Sequence, residues 1–259
     1  MNLIFDSHAH YNDKAFDGDR ELILVGLERR GVGNIVEVCA ALKDIQPAIE
    51  LSEKYDFVYA AVGVHPDGVG EITESNFTEI ADALKEKKVV AIGEIGLDYH
   101  YDDVCKACQK EWFARQIDLA KKEKYPIIVH SRDAAADTLD IVKAEGARDA
   151  GGVIHCFSYE KEMARIYLDQ GFYLGIGGVV TFKNSRKLKE VVEYMPLKQM
   201  LLETDCPYLA PTPHRGERND SGYLPLVVDA ISEIKGIDRE EIIGVTRENA
   251  MRMYKIKEI

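Results

Sequence analysis

The segment LIFDSHAH (Leu3–His10) decides between two readings of the fold. It starts as an apolar strand and ends in His-Ala-His. In an open doubly wound α/β sheet, the first strand usually runs into a glycine-rich phosphate loop. Two histidines stand there instead. Polar residues at a strand end suit a (β/α)8 barrel, whose active sites lie at the C-terminal ends of the strands.

Downstream the pattern repeats. Candidate strands are Leu3–His10, Asn34–Ala40, Val58–His65, Val89–Leu97, Pro126–Ser131, Gly152–Ser158, Phe172–Val179 and Met200–Asp205. Between them lie stretches with helical periodicity: Asp17–Arg30, Asp44–Lys54, Phe77–Lys87, Lys106–Lys124, Ala134–Glu145, Lys161–Asp169 and Ser185–Tyr194. Two more, near Tyr223–Ile234 and Arg239–Tyr254, close the chain. Strands alternating with helices predict parallel βαβ units. Several strands are nearly continuous apolar runs, as expected when both faces are covered. The 259 residues match a single (β/α)8 TIM barrel of about 250. No Gly-, Pro- or Ser-rich linker divides the chain, so one α/β domain over residues 1–259 is expected. The long irregular segment CPYLAPTPHRGERNDSG (Cys206–Gly222) follows the last strand. A loop of that length in a compact domain is usually functional.

Composition narrows the class. The chain is 46% hydrophobic and 30% charged, enough apolar content for a sizeable core. No apolar run approaches the ~18–20 residues of a membrane span. The opening MNLIFDSHAHYND has no basic segment and no long apolar run, so no secretory leader is expected. A net charge of −12 argues against a protein that coats nucleic acid passively. It leaves room for an enzyme that holds phosphates on bound metal. Five scattered cysteines are consistent with reduced thiols. These features predict a soluble, cytoplasmic enzyme, by default a monomer.

The candidate chemistry sits at strand ends. His8 and His10 end the first strand, His65 the third, His130 the fifth and Asp205 the eighth, while Glu94 and His155 lie on the fourth and sixth. Five of the seven histidines fall at such ends, leaving only His100 and His214 elsewhere. Two residues apart on a strand, His8 and His10 project to one side. An imidazole pair with a carboxylate is the donor set of a transition-metal site. Taken alone, HxH is equally read as a hydrogen-bonded pair. Glu94 in VVAIGEIGLD is costly in an apolar strand unless paired or metal-bound; Arg132 is its alternative partner. Glu203 lies two residues before Asp205, on the same face if the strand is regular. Asp205, closer to the C-terminal face, is the favoured ligand and base. No GxSxG, GxxxxGK[ST], HExxH or GxGxxG is present. Cys105 and Cys108 form a lone CxxC, too few ligands for a structural zinc. Cys156 and Cys206, adjoining His155 and Asp205, read as packing residues.

The motifs FDSHAH, GVHP, GEIGLDY, PIIVHSRDA, IHCFS, GIGGVVTFKN, LLETDCPYLAP and RGERN together resemble the TatD family of metal-dependent deoxyribonucleases, within the wider amidohydrolase-like barrels. The likeness runs from Phe5 to the helix carrying Glu248, Asn249 and Ala250. It implies a two-metal site: one ion on His8, His10 and Asp205, the other on His130 and His155, with Glu94 bridging. His65 and Glu203 match positions used for substrate or a further ion. Arg132, Arg215 and Arg218 would bind phosphate near the barrel mouth. The implied substrate is DNA, at single-stranded or frayed ends. A His-rich ligand set suits zinc as the bound metal, and magnesium or manganese would support turnover.

The chain departs from the common family pattern at Asp67, Glu217 and Asp220-Ser221, which bears on substrate preference. Two rivals stand beside this reading. One is a hydrolase of a small-molecule amide or lactone, or of an aminoacyl-tRNA ester, on the same metals. A carbamylated lysine would mark the small-molecule enzyme, and the fourth strand offers none. The other is a scaffold with structural metal, which would favour closed, cysteine-rich sites.

Overall fold

The structure, a computed structural model, describes residues 2–101 and 105–257. Its eight strands are β1 Ile4–Ala9, β2 Val32–Val38, β3 Val58–Val62, β4 Val89–Asp98, β5 Ile127–Arg132, β6 Gly152–Ile154, β7 Tyr173–Ile176 and β8 Met200–Leu202. The helices are α1 Arg20–Gly26, α2 Ile45–Lys54, α3 Glu74–Ala83, α4 Lys106–Glu123, α5 Ala135–Ala144, α6 Lys161–Asp169, α7 Arg186–Tyr194, α8 Leu224–Lys235 and α9 Arg239–Met253. The strands form one sheet in chain order, β1 to β8. This is the (β/α)8 architecture that the sequence alternation predicts.

The chain clusters into two compact units. The first comprises, of the described residues, 2–37, 156–252 and 257. Here β1 pairs in parallel with β2, with Phe5 opposite Asn34. Likewise β7 pairs with β8, with Leu174 opposite Met200. Beyond β8 the chain also bridges β1 in parallel, Ala9 opposite Cys206. All six residues of β1 are buried. On α7, Leu188, Val191 and Val192 recur at the spacing of one helical face and are buried. The Lys235 ammonium donates to Val192 O at 2.9 Å and Met195 O at 2.8 Å, satisfying carbonyls that α7 leaves open at its end.

The second unit comprises, of the described residues, 38–101, 105–155 and 253–256. Its strands β3 to β6 pair in parallel, Ala61 opposite Ala91, Ile95 opposite Val129 and Ile128 opposite Val153. β4 is the longest strand, and all ten of its residues are buried. Its apolar run suits a strand covered on both faces. A Cβ at Gly96 would lie 2.0 Å from His130 O, and its φ of +146° is one that side chains resist. The glycine is therefore what lets β4 and β5 approach beside Glu94 and His130. Lys88 closes α2 as Lys235 closes α7, donating to Ser52 O at 2.5 Å and Tyr55 O at 2.6 Å.

Three sequence expectations change. The Asp17–Arg30 helix is shorter, α1 followed by a 3-10 turn at Glu28–Arg30. β1 stops at Ala9, β3 at Val62, β6 at Ile154 and β8 at Leu202, so His10, His65, His155, Glu203 and Asp205 lie past the strands. After β6 and β8 the backbone leaves strand geometry, with positive φ at Cys156 (45°) and Asp205 (57°), and alternation cannot place the side chains there. Finally, Cys105 and Cys108 are joined as a disulfide, their Cα atoms 5.3 Å apart. Among the described residues, Cys39, Cys156 and Cys206 lie outside any disulfide. The first turn of α4 brings the two sulfurs together, which cysteine counting could not reveal. Among the described residues, no helix is long and apolar enough to cross a membrane.

Candidate metal centre

Within the first unit, a buried carboxylate organises the HxH segment. Asp6 is fully buried, and its Oδ1 accepts the His8 N–H at 3.2 Å and the Thr204 N–H at 3.0 Å. Its Oδ2 accepts the hydroxyls of Thr204 at 2.7 Å and Ser221 at 2.6 Å. The Tyr11 hydroxyl in turn donates to Ser221 Oγ at 2.8 Å. These bonds tie the end of β1 to the segment after β8. Glu37 on β2 does the same for the turn after His10, accepting the N–H of Tyr11 at 2.7 Å and of Asn12 at 2.9 Å. Burial pushes both carboxyls up to about 7, although their hydrogen bonds pull the other way.

On this frame His8 and His10 point their Nε2 atoms at each other, 3.0 Å apart. The Asp205 Oδ1 lies 3.4 Å from His10 Nε2 and 3.8 Å from His8 Nε2. The register is fixed by the backbone, since Asp205 N–H donates to His8 O at 3.0 Å and His10 N–H to Cys206 O at 2.9 Å. His8 is buried, while His10 and Asp205 keep 15% and 19% of their side chains exposed, enough to meet solvent.

The second unit holds another cluster. Glu94 Oε1 lies 2.7 Å from His130 Nδ1 and 3.1 Å from His155 Nε2. The three residues' donor atoms fall within 4.8 Å of one another. His65 Nε2 stands 4.0 Å from the same carboxylate oxygen. Its Nδ1 accepts the Asp67 N–H at 3.2 Å. His130 is gripped from its other side by Asp98 Oδ2 at 3.1 Å from Nε2. Burial alone would lower the His130 pKa, but bonds to Asp98 and Glu94 outweigh it and raise it to about 9. Asp98 is itself held in place: Gln109, at the start of α4, accepts the Asp98 N–H at 3.0 Å.

Both clusters fit a bound cation. Zinc–nitrogen bonds are about 2.0–2.1 Å, so neighbouring donors on one ion stand roughly 2.9–3.7 Å apart. The separations of 3.0 and 3.4 Å in one unit and 3.1 Å in the other fall within that range, and 3.8 Å in the first and 2.7 Å in the second lie just outside it. The donors are imidazole and carboxylate, a set suited to zinc, manganese, iron or cobalt. A basic His130 between two carboxylates marks the same preference for positive charge.

The remaining sequence candidates are placed differently. Glu203 is buried and accepts the Cys156 N–H at 2.6 Å, with Gly175 making room for its carboxylate. Arg132 is exposed, 3.9 Å from Asp98 Oδ2 and over the Tyr101 ring. Arg215 is exposed and stacks on Phe182 at 4.5 Å. Arg218 is engaged by Asp19 through two bonds of 2.8 and 2.6 Å and by Ala15 O. Sequence reading missed Asp6, Glu37 and Asp98. Asp6 and Glu37 are carboxylates inside apolar strands, the same signal that singled out Glu94, and Asp98 is the last residue of β4.

Comparison with known proteins agrees with this chemistry. The family model described as TatD related DNase matches residues 5–255. An uncharacterized metal-dependent hydrolase of Bacillus subtilis, YabD, is 46% identical over 254 residues, covering 98% of this chain and 100% of YabD. YcfH of Escherichia coli, also an uncharacterized metal-dependent hydrolase, is 36% identical across 98% of this chain and 96% of its own. The crystal structure of YjjV, a TatD homolog from Escherichia coli, superposes with a TM-score of 0.93 at 29% identity, covering 98% of each chain. The clusters and these likenesses converge: the chain belongs to the TatD family and is a metal-dependent hydrolase on a (β/α)8 barrel.

Proposed function

We propose that the protein is a deoxyribonuclease that hydrolyses phosphodiester bonds at single-stranded or frayed DNA ends with two divalent ions. His8, His10 and Asp205 would hold one ion; Glu94, His130 and His155 would hold the other. When bound, divalent ions supply Lewis acidity and acidify water near neutral pH. The observation that carries the reading is the pair of three-donor clusters with ligand-like separations. The family's description as a DNase supports the choice of bond.

The chain's own residues have distinct tasks. Asp205, partly exposed, orients the attacking water and takes its proton on the carboxylate. Asp6 and Glu37 hold the HxH segment in place, so the imidazoles need no reorganisation when the ion arrives. Asp98 fixes the ring of His130. Arg132 and Arg215, both exposed, hold non-bridging phosphate oxygens. Arg218, bonded to Asp19, steadies the 206–222 loop rather than reaching for substrate. With a net charge of −12, long duplex DNA is repelled and short ends are the better substrate.

The test uses chelator-stripped protein given zinc, manganese or magnesium singly, with 5′- and 3′-labelled single-stranded oligonucleotides. Metal-dependent laddering that the His130→Ala/Asp205→Ala chain lacks is the expected result. No cleavage with any metal, by protein that has bound two ions, overturns the nuclease reading.

A further inference from the structure

Outside the two clusters, the cysteine pair of the Cys-Lys-Ala-Cys segment that opens α4 has no part in the hydrolysis. We propose that Cys105–Cys108 is a thiol–disulfide exchange site, a reversible couple opened by a dithiol reductant, with Cys105 as the sulfur that enters the exchange.

Accessibility comes first. Cys105 is exposed and Cys108 is half-buried, whereas Cys39 and Cys206, outside any disulfide, are wholly buried. Exchange requires a thiolate to reach a sulfur, and Cys105 is the more exposed of the pair. Electrostatics come second. Cys105 is the N-cap of α4, and its Sγ accepts the Cys108 N–H at 3.2 Å. α4 has 18 residues, and no acidic residue occupies its first turn. A thiolate released at Cys105 therefore meets the positive end of a long helix and an amide donor already aimed at it. That stabilises the reduced state. Anchoring comes third. Gln109, Trp112, Phe113, Gln116 and Ile117 bury one face of α4 just beyond the pair. Opening a bond that spans only three residues leaves this anchor intact, so both states share one fold.

The step balances as two exchanges. A thiolate of the reductant attacks Cys105 Sγ, the S–S bond breaks, and Cys108 leaves as a thiolate that takes a proton. The reductant's second thiolate then attacks its own sulfur in the mixed disulfide and releases Cys105. Two electrons pass from the dithiol to the protein, and the reductant leaves as its disulfide. The site is independent of the hydrolytic reading and does not stand or fall with it.

The full chain would be treated under native conditions with dithiothreitol, then iodoacetamide, and weighed by mass spectrometry. Two added groups, mapped to Cys105 and Cys108, are expected, and oxidised glutathione should restore the bond in reduced protein. Single variants give the second arm. Toward an aromatic disulfide probe, Cys105 in the Cys108→Ser chain should react about tenfold faster than Cys108 in the Cys105→Ser chain. A pair that opens only in denaturant overturns the proposal. So do two thiols that oxidised glutathione cannot join, or equal rates in the two variants.

Discussion

Replacing Glu37 by glutamine tests the role of the buried carboxylates in supporting the HxH segment. Glu37 is fully buried, and its two oxygens accept the N–H groups of Tyr11 and Asn12. Burial lifts its carboxyl from an ordinary 4.5 to about 7, against the pull of those bonds. In the unfolded chain the group ionises near its ordinary value, so between the two pKa values the native state binds one more proton. Stability then falls as pH rises through that window. Each pH unit is worth about 1.4 kcal/mol, so the span from 4.5 to about 7 amounts to about 3 kcal/mol. Glutamine does not titrate, and it can present only one acceptor oxygen to the two N–H groups. One donor loses its partner, at about 1–3 kcal/mol independent of pH. The Glu37→Gln chain should therefore be the less stable at pH 5 and draw level with, or pass, the parent at pH 8. Urea unfolding of metal-stripped protein at pH 5, 6, 7 and 8 measures this. Asp6 and His130 titrate in both chains and cancel from the difference. A stability gap that stays constant with pH, or widens as pH rises, would refute the reasoning.

Other outcomes follow from equally specific contacts. Lys88→Met removes the ammonium that closes α2 and should cost about 2–3 kcal/mol by urea unfolding at pH 7; Lys85→Met, an exposed control, should cost under about 0.5 kcal/mol. Gly96→Ala forces a Cβ against His130 O in a backbone conformation that resists it. It should destabilise by about 2–4 kcal/mol and lower zinc uptake, read by thermal unfolding and metal analysis. Asp98→Ala frees the His130 ring and should weaken zinc binding about 10- to 100-fold by calorimetry. Unchanged zinc affinity in that variant would remove Asp98 from the site.

The fold was legible because its signal is repeated. Eight apolar runs alternate with amphipathic stretches, and no single boundary matters to that pattern. The candidate site was legible to the extent that costly residue types stood in apolar strands. His8 and His10 reveal their shared side through strand alternation, and Glu94 reveals itself as a carboxylate that burial would punish. Alternation fails where strands end. The positive φ values at Cys156 and Asp205 turn the chain out of strand geometry, so Glu203 is buried over Gly175 while Asp205 faces the HxH pair. Asp98 was passed over because the fourth strand was read as ending at Leu97, whereas β4 runs one residue further. A carboxylate in an apolar strand marks Asp6 and Glu37, but their supporting roles depend on partners elsewhere in the chain, Thr204 and Ser221 for Asp6 and Tyr11 and Asn12 for Glu37, which no local pattern encodes. The disulfide is likewise a matter of where the first turn of α4 begins, which spacing alone leaves open.

The most direct test of the two clusters is metal stoichiometry. Chelator-stripped protein dialysed against zinc and analysed by plasma mass spectrometry should retain two ions per chain. The His8→Ala/His10→Ala chain should retain one, and the His130→Ala/His155→Ala chain should also retain one. A parent chain that holds a single ion, or either double variant that still holds two, would contradict the assignment of one ion to each cluster.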